Sequence, residues 1–195
     1  MNVNCIGITG TNGAGKSRLA DKMRKSYYVG YYSVRAFLEK ECEHREWPID
    51  RDSLVLVAND LRQQFGPDYI MSCLAQKAVV VRGRNPFIIE SIRCVGEIKY
   101  LSDTFRENFV LIGVDAEIEK RYERVLKREE ETDKIDFETF CRHEAREMEQ
   151  ADPWKQNIRA CLGRVTSEFL LQNNGTEKEF FQKILEIGKI LNLPC

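Results

Sequence analysis

The run Cys5-Ile6-Gly7-Ile8-Thr9, continued by Gly10-Thr11-Asn12-Gly13-Ala14-Gly15-Lys16-Ser17, is where the chain declares its architecture. The first five residues read as a buried strand and Lys16 to Lys25 as a helix, so the glycines lie at a strand-to-helix junction. Gly10, Gly15, Lys16 and Ser17 satisfy GxxxxGK[ST], the spacing of a phosphate-binding loop in the context that gives it meaning. Glycine lets the backbone wrap phosphate oxygens in conformations that a side chain forbids. The helix start adds unpaired N–H groups and the positive end of its dipole. Residues Gly10, Thr11, Asn12, Gly13, Ala14, Gly15, Lys16 and Ser17 are therefore expected to bind ATP. Lys16 would reach the β- and γ-phosphates as a catalytic cation, and the Ser17 hydroxyl would ligate Mg²⁺.

Working outward, a second strand is expected near Val29 to Ser33, then helices over Val34 to Arg45, Arg51 to Phe65 and Tyr69 to Val81, broken at Pro48 and at Gly66-Pro67. Pro86 to Glu90 and Phe109 to Val114 have the short apolar signature of central parallel strands, with a helix from Glu97 to Ser102 between them. Asp115 is placed to cap a helix over Glu117 to Arg128, and the charged run 129–134 follows without apolar periodicity. Helices over Phe137 to Gln150 and Trp154 to Leu162, a strand near Glu168 to Leu171 and a closing helix from Glu177 to Leu191 complete the pattern. Such alternation describes an α/β protein: one parallel sheet covered on both faces, in a single domain over residues 1–195.

The bulk composition narrows the setting. Thirty basic residues against 31 acidic ones give a formal charge of −1, without the bulk attraction for polyanions that nucleic-acid binding favours. Seven scattered cysteines show no zinc-ligand spacing and suit free thiols in a reducing cytoplasm. Neither a signal-peptide pattern nor an apolar run near the ~20 residues of a membrane span is visible, so a soluble protein is expected.

A metal-side carboxylate is expected at a neighbouring strand end, and Phe87-Ile88-Ile89-Glu90 supplies one; Asp115 competes for the role but reads better as a cap. Arg121, Arg124 and Arg128 fall on one helical face. Two readings of that face stand: a closing cationic wall, or a solvated face with Glu117–Arg121 and Glu123–Lys127 pairs. His44 and His143 read as surface residues, and Tyr27, Tyr28, Tyr31 and Tyr32 as packing around the second strand.

IGITGTNGAGKS, the helix bearing Arg35, Asp60-Leu61-Arg62-Gln63-Gln64-Phe65-Gly66, Ile88-Ile89-Glu90-Ser91-Ile92-Arg93 and Asn173-Asn174-Gly175-Thr176 together resemble the nucleoside and deoxynucleoside monophosphate kinases. The likeness is closest to a divergent branch near dephospho-CoA kinase and archaeal kinase-like P-loop proteins, and it spans nearly the whole chain. It implies a three-layer P-loop fold with a five-stranded parallel sheet in the order 2-3-1-4-5. It also implies an acceptor-binding helical region over 34–82 and a lid over about 121–150. By position, Arg35, Arg62 and Arg93 would hold an acceptor phosphate, Arg93 also contacting the transferring group. Arg121, Arg124 and Arg128 would belong to the lid, Arg124 and Arg128 as catalytic cations and Arg121 beside the nucleotide, with Asn174 and Gly175 near the adenine. For Arg35 and Arg62 the ordinary exposed helical arginine is the competing reading. Where the group shows an Asp-Gly-x-Arg phrase, this chain has Glu90-Ser91-Ile92-Arg93, and the aspartate and histidine signature of dephospho-CoA kinase is missing.

The expected activity is ATP- and Mg²⁺-dependent phosphoryl transfer to a small phosphate-bearing acceptor, by a monomer or homodimer without nucleic-acid or membrane partners. A nucleotide-dependent switch or assembly subunit without catalysis, and a kinase acting on nucleic acid, are the alternatives.

Overall fold

A strand at the centre of a parallel sheet is covered by helices on both faces, and β1 (Cys5–Gly10) is buried along its whole length for that reason. The computed structural model describes residues 3–83, 85–127 and 135–194. The other strands are β2 (Gly30–Ser33), β3 (Phe87–Ile92), β4 (Phe109–Asp115) and β5 (Leu170–Gln172). They pair in parallel in the order β2-β3-β1-β4-β5, the 2-3-1-4-5 arrangement the resemblance implies.

Alternation along the strands splits the core in two. Ile6, Ile8, Ile88, Ile112 and Val114 face one way, onto α1 (Lys16–Ser26) through Leu19 and Met23 and onto the closing helix Glu177–Ile190 through Phe180 and Ile184. Cys5, Phe87, Ile89 and Leu111 face the other way. Over them lie α2 (Val34–His44), α3 (Arg51–Phe65), α4 (Tyr69–Arg82) and α5 (Val95–Phe105). Beyond β4 come α6 (Ile118–Leu126), α7 (Phe137–Met148) and the short α8 (Ile158–Leu162), and the closing helix is α9. No helix among the described residues is long and apolar enough to cross a membrane.

Several boundaries differ from the sequence reading, each for a local reason. The helix expected from Trp154 begins only at Ile158, because the Asn157 side chain accepts from Ala160 N (2.9 Å) as an N-cap and its N–H donates to Arg93 O (2.8 Å). Ser167–Phe169 winds into a 3₁₀ turn that seats Phe169 in the core, delaying β5 to Leu170. Asp115 does not cap α6, whose N-cap is Glu117; its Oδ1 accepts from Ala116 N and from Thr11 Oγ1 instead. Arg128 and the charged run after it lie outside the described residues.

β3 does not end at Glu90 but continues through a bulge. Ile8 pairs with Glu90 and Thr9 with Ile92, so Ser91 is the extra residue, and it adopts φ +75°. This left-handed conformation costs a residue with a Cβ about 1–2 kcal/mol. Ser91→Gly is therefore expected to raise stability by up to about 1 kcal/mol, the larger unfolded-state entropy of glycine offsetting part of the gain. In a thermal melt this is a rise of roughly 2–4 °C; a fall would show that the Ser91 side chain is needed there.

Candidate active site

Two glycines of the loop are required by space as well as by dihedral angle. Gly13 (φ +77°) would bring a Cβ to 2.4 Å from Arg121 O, and Gly15 (φ +112°) to 2.7 Å from Asn173 Nδ2. The loop thus packs bare backbone against the start of α6 and the end of β5. Lys16, at the first position of α1, arches back so that Nζ donates to Gly10 O (3.0 Å) and Thr11 O (2.7 Å). Beside it Ser17 Oγ donates to Glu90 Oε1 (2.7 Å), and the Tyr31 hydroxyl donates to Glu90 Oε2. Parallel pairing of β3 with both β1 and β2 brings these groups together, since Glu90 is opposite Ile8 and Ser33. Burial, reinforced by the adjacent Glu90 charge, pushes the Tyr31 pKa up, so its hydroxyl remains a donor.

This corner opens into a cleft of about 550 Å³ that also receives Arg35, Arg51, Arg62 and Arg93. Arg35 bonds Glu39 Oε1 from the next turn of α2 (2.7 Å). Arg62 is 1% exposed and donates twice to Glu97 Oε1 (3.0 and 2.7 Å), which overturns its reading as an exposed helical arginine. Glu97 Oε2 accepts from the N–H groups of Arg93 and Cys94 (both 3.0 Å), so one buried carboxylate holds Arg62 and the chain leaving β3. Arg51 donates to Glu147 Oε1 (3.1 and 2.8 Å), while Arg93 donates to Glu147 Oε2 and to Gln156 Oε1 (3.2 Å).

Arg121, Arg124, Asn174 and Gly175 do not line this cleft. Arg121 is neither on a solvated face nor in the cleft. It is buried, bonds Ala116 O (2.8 Å), Asn12 O (3.2 Å) and Glu144, and stacks over Phe140. The expected Glu117–Arg121 pair is replaced by Glu117–Lys120 (3.2 Å). Arg124 donates to Asn173 O (2.8 Å), and burial, opposed by the nearby Glu123 charge, lowers its pKa. Asn174 accepts from Glu117 N (2.8 Å), tying the final turn to α6, while Gly175 lies against Glu179. The neighbour Asn173 touches the loop, donating to Ala14 O (2.7 Å). His143 is half-buried, and burial together with Arg51 and Arg146 lowers its pKa.

The roles of Arg51, Glu144, Glu147, Asn173 and Tyr31 have no signal in the sequence motifs. A capping position offered a hint for Glu97, the third residue of α5. Glu144 and Glu147 are spaced i, i+3 on a polar helix, a pattern that ordinarily marks a solvated face.

The residues present suit ATP and Mg²⁺. The loop keeps its wrap only with bare backbone at Gly13 and Gly15, where a Cβ would collide with Arg121 O and Asn173 Nδ2, and it leads into the start of α1, where unpaired N–H groups favour an anion. Asn12 Nδ2 and Arg62 Nη1, both on cleft-lining residues, are buried donors without a hydrogen-bond partner, as a site for an oxygen-rich ligand requires. Ser17 and Glu90 form a hydroxyl–carboxylate donor set, which matches a metal held by one or two protein oxygens and by phosphates. Among the described residues no three His, Cys, Asp or Glu side chains converge as a separate metal site.

Fold and loop together define a P-loop nucleotide-binding protein of the kinase-like kind. The chain belongs to the AAA domain family, whose model matches residues 6–154, and to the UPF0200 proteins. UPF0200 protein MJ1399 of Methanocaldococcus jannaschii is 32% identical over 146 residues, 73% of this chain and 72% of that one. UPF0200 protein MMP1282 of Methanococcus maripaludis is 26% identical over 94% of this chain and 98% of that one. Among solved structures, TT1252 from Thermus thermophilus superposes with a TM-score of 0.64 at 19% identity, over 97% of this chain and 98% of the other. A gluconokinase from Sinorhizobium meliloti reaches 0.59 at 11%, over 98% and 95%. At these identities the likeness to the two solved structures is one of fold.

Proposed function

We propose that the protein is an ATP-dependent phosphotransferase whose acceptor is a nucleoside or deoxynucleoside monophosphate, or a similar small molecule bearing a phosphate. One observation carries this reading: the Lys16, Ser17 and Glu90 corner opens onto the same cleft as Arg35, Arg51, Arg62 and Arg93. Binding ATP alone does not call for four further guanidinium groups, whereas a second anion does. The gluconokinase is a kinase on the same fold, which fits.

ATP held by the loop would supply the phosphoryl group, and Ser17 and Glu90 would be the residues to hold Mg²⁺, which would offset its charge. Lys16 contributes a fixed cation at the start of α1, and the loop N–H groups add their dipoles without reorganising. Tyr31 keeps Glu90 in place through its second oxygen. The arginines orient the acceptor, and Leu38, Leu54, Val55 and Ala58 give the cleft an apolar wall that excludes water. Free thiols at the described cysteines suit a cytoplasmic enzyme.

ADP formation with ATP and Mg²⁺, followed across a panel of ribo- and deoxynucleoside monophosphates, is expected to rise sharply with one acceptor. Tight ATP binding without stimulation by any acceptor would favour a nucleotide-dependent switch and sink the kinase reading.

A further inference from the structure

α7 sends two carboxylates into the two halves of the site. Glu144 accepts from the loop N–H of Asn12 (3.3 Å) and pairs with Arg121; Glu147, one turn on, pairs with Arg51 and Arg93. Glu147 is 1% exposed and gives each oxygen to a different guanidinium, while Arg51, Arg93 and Glu147 all line the cleft. Burial alone raises the pKa of Glu147, but the charges and hydrogen bonds of Arg93 and Arg51 outweigh it and hold the carboxyl below its ordinary range. The group is therefore an anion at neutral pH.

We propose that Glu147 is a resident anion that holds the acceptor-phosphate position between Arg51 and Arg93 and makes the cleft selective for a dianionic phosphate. This rests on the reading that the cleft takes an anionic acceptor. A ligand entering between the two arginines must displace a carboxylate that already satisfies both, and the displaced Glu147 must move towards water with α7. A phosphate monoester carries about −1.5 to −2 charges and three acceptor oxygens, so it offers both arginines more than Glu147 does. A carboxylate only matches Glu147, and a neutral polyol offers less, so neither repays the displacement. Glu147 is thus a specificity-determining residue as well as a latch, for its release frees one anchor of α7 while Arg146–Asp52 (2.8 Å) remains at the surface.

Inorganic phosphate is the probe, with acetate as the monoanionic control. In calorimetric titrations Glu147→Gln is expected to bind phosphate on the order of tenfold more tightly than the parent protein. The gain should vanish in the double variant Glu147→Gln/Arg51→Met, which separates the arginine cleft from the P-loop. In the unsubstituted protein, phosphate but not acetate should speed hydrogen exchange in residues 137–148, a readout that does not depend on how the variants fold. Equal Arg51-dependent affinity with and without Glu147, or unchanged exchange in α7, overturns the latch and leaves the acceptor cleft standing. Absence of any Arg51-dependent phosphate binding overturns both. A gain that survives Arg51→Met would place the anion on the P-loop and also refute the assignment.

Discussion

Lys16→Met lowers acceptor-dependent ADP formation by roughly 10²–10³-fold, the usual loss when one preorganised donor to the developing charge is removed. Lys16 is at the first position of α1, where the helix dipole already favours an anion, and its Nζ is held by the Gly10 and Thr11 carbonyls over the loop. The charge is therefore in place before any ligand arrives, and methionine keeps the length of the side chain without it. Steady-state rates should fall while the protein remains folded, because Nζ is bonded to loop carbonyls at the cleft and not to an element of the core. Activity close to the parent level would remove Lys16 from the reaction.

Glu97→Ala has the largest expected effect on stability. It leaves Arg62, 1% exposed, with an uncompensated charge, and takes the acceptor from the N–H groups of Arg93 and Cys94. Breaking a buried pair from one side costs about 3–5 kcal/mol, against a total of about 5–15 kcal/mol for a typical domain. For a chain of this size the melting temperature should fall by roughly 6–20 °C. Arg62→Met combined with Glu97→Leu should recover part of the loss, since a charge-free pair of similar volume carries no desolvation penalty. If the single and double variants melt alike, the cost lies in the lost backbone acceptor and not in the stranded arginine.

The contrast between these two predictions marks how far the sequence could be read. Lys16 belongs to an eight-residue motif whose chemistry is carried by adjacent positions: glycines that permit the wrap, a lysine and a serine at the helix start. Helices such as Arg51–Phe65 were legible for the same local reason, with Pro48 breaking the chain before it and Gly66-Pro67 after it. Glu97 pairs with Arg62 across 35 residues, and Glu147 with Arg93 across 54. No periodicity or spacing in the chain encodes those separations. Arg121 shows the difficulty most plainly, since its helical spacing offered Glu117 as a partner four residues away, yet the guanidinium turns inward to Glu144 and Asn12 O.

The strand, loop and helix from Cys5 to Ser26, and with them the phosphate cradle, follow from residues in contact along the chain, where backbone sterics and a helix dipole act over a few ångströms. The partners of the charged residues were decided only when the sheet brought β3 between β1 and β2 and laid α7 against the start of α3. Charges take the nearest opposite charge in a low-dielectric interior, and packing rather than sequence neighbourhood determines which one is nearest.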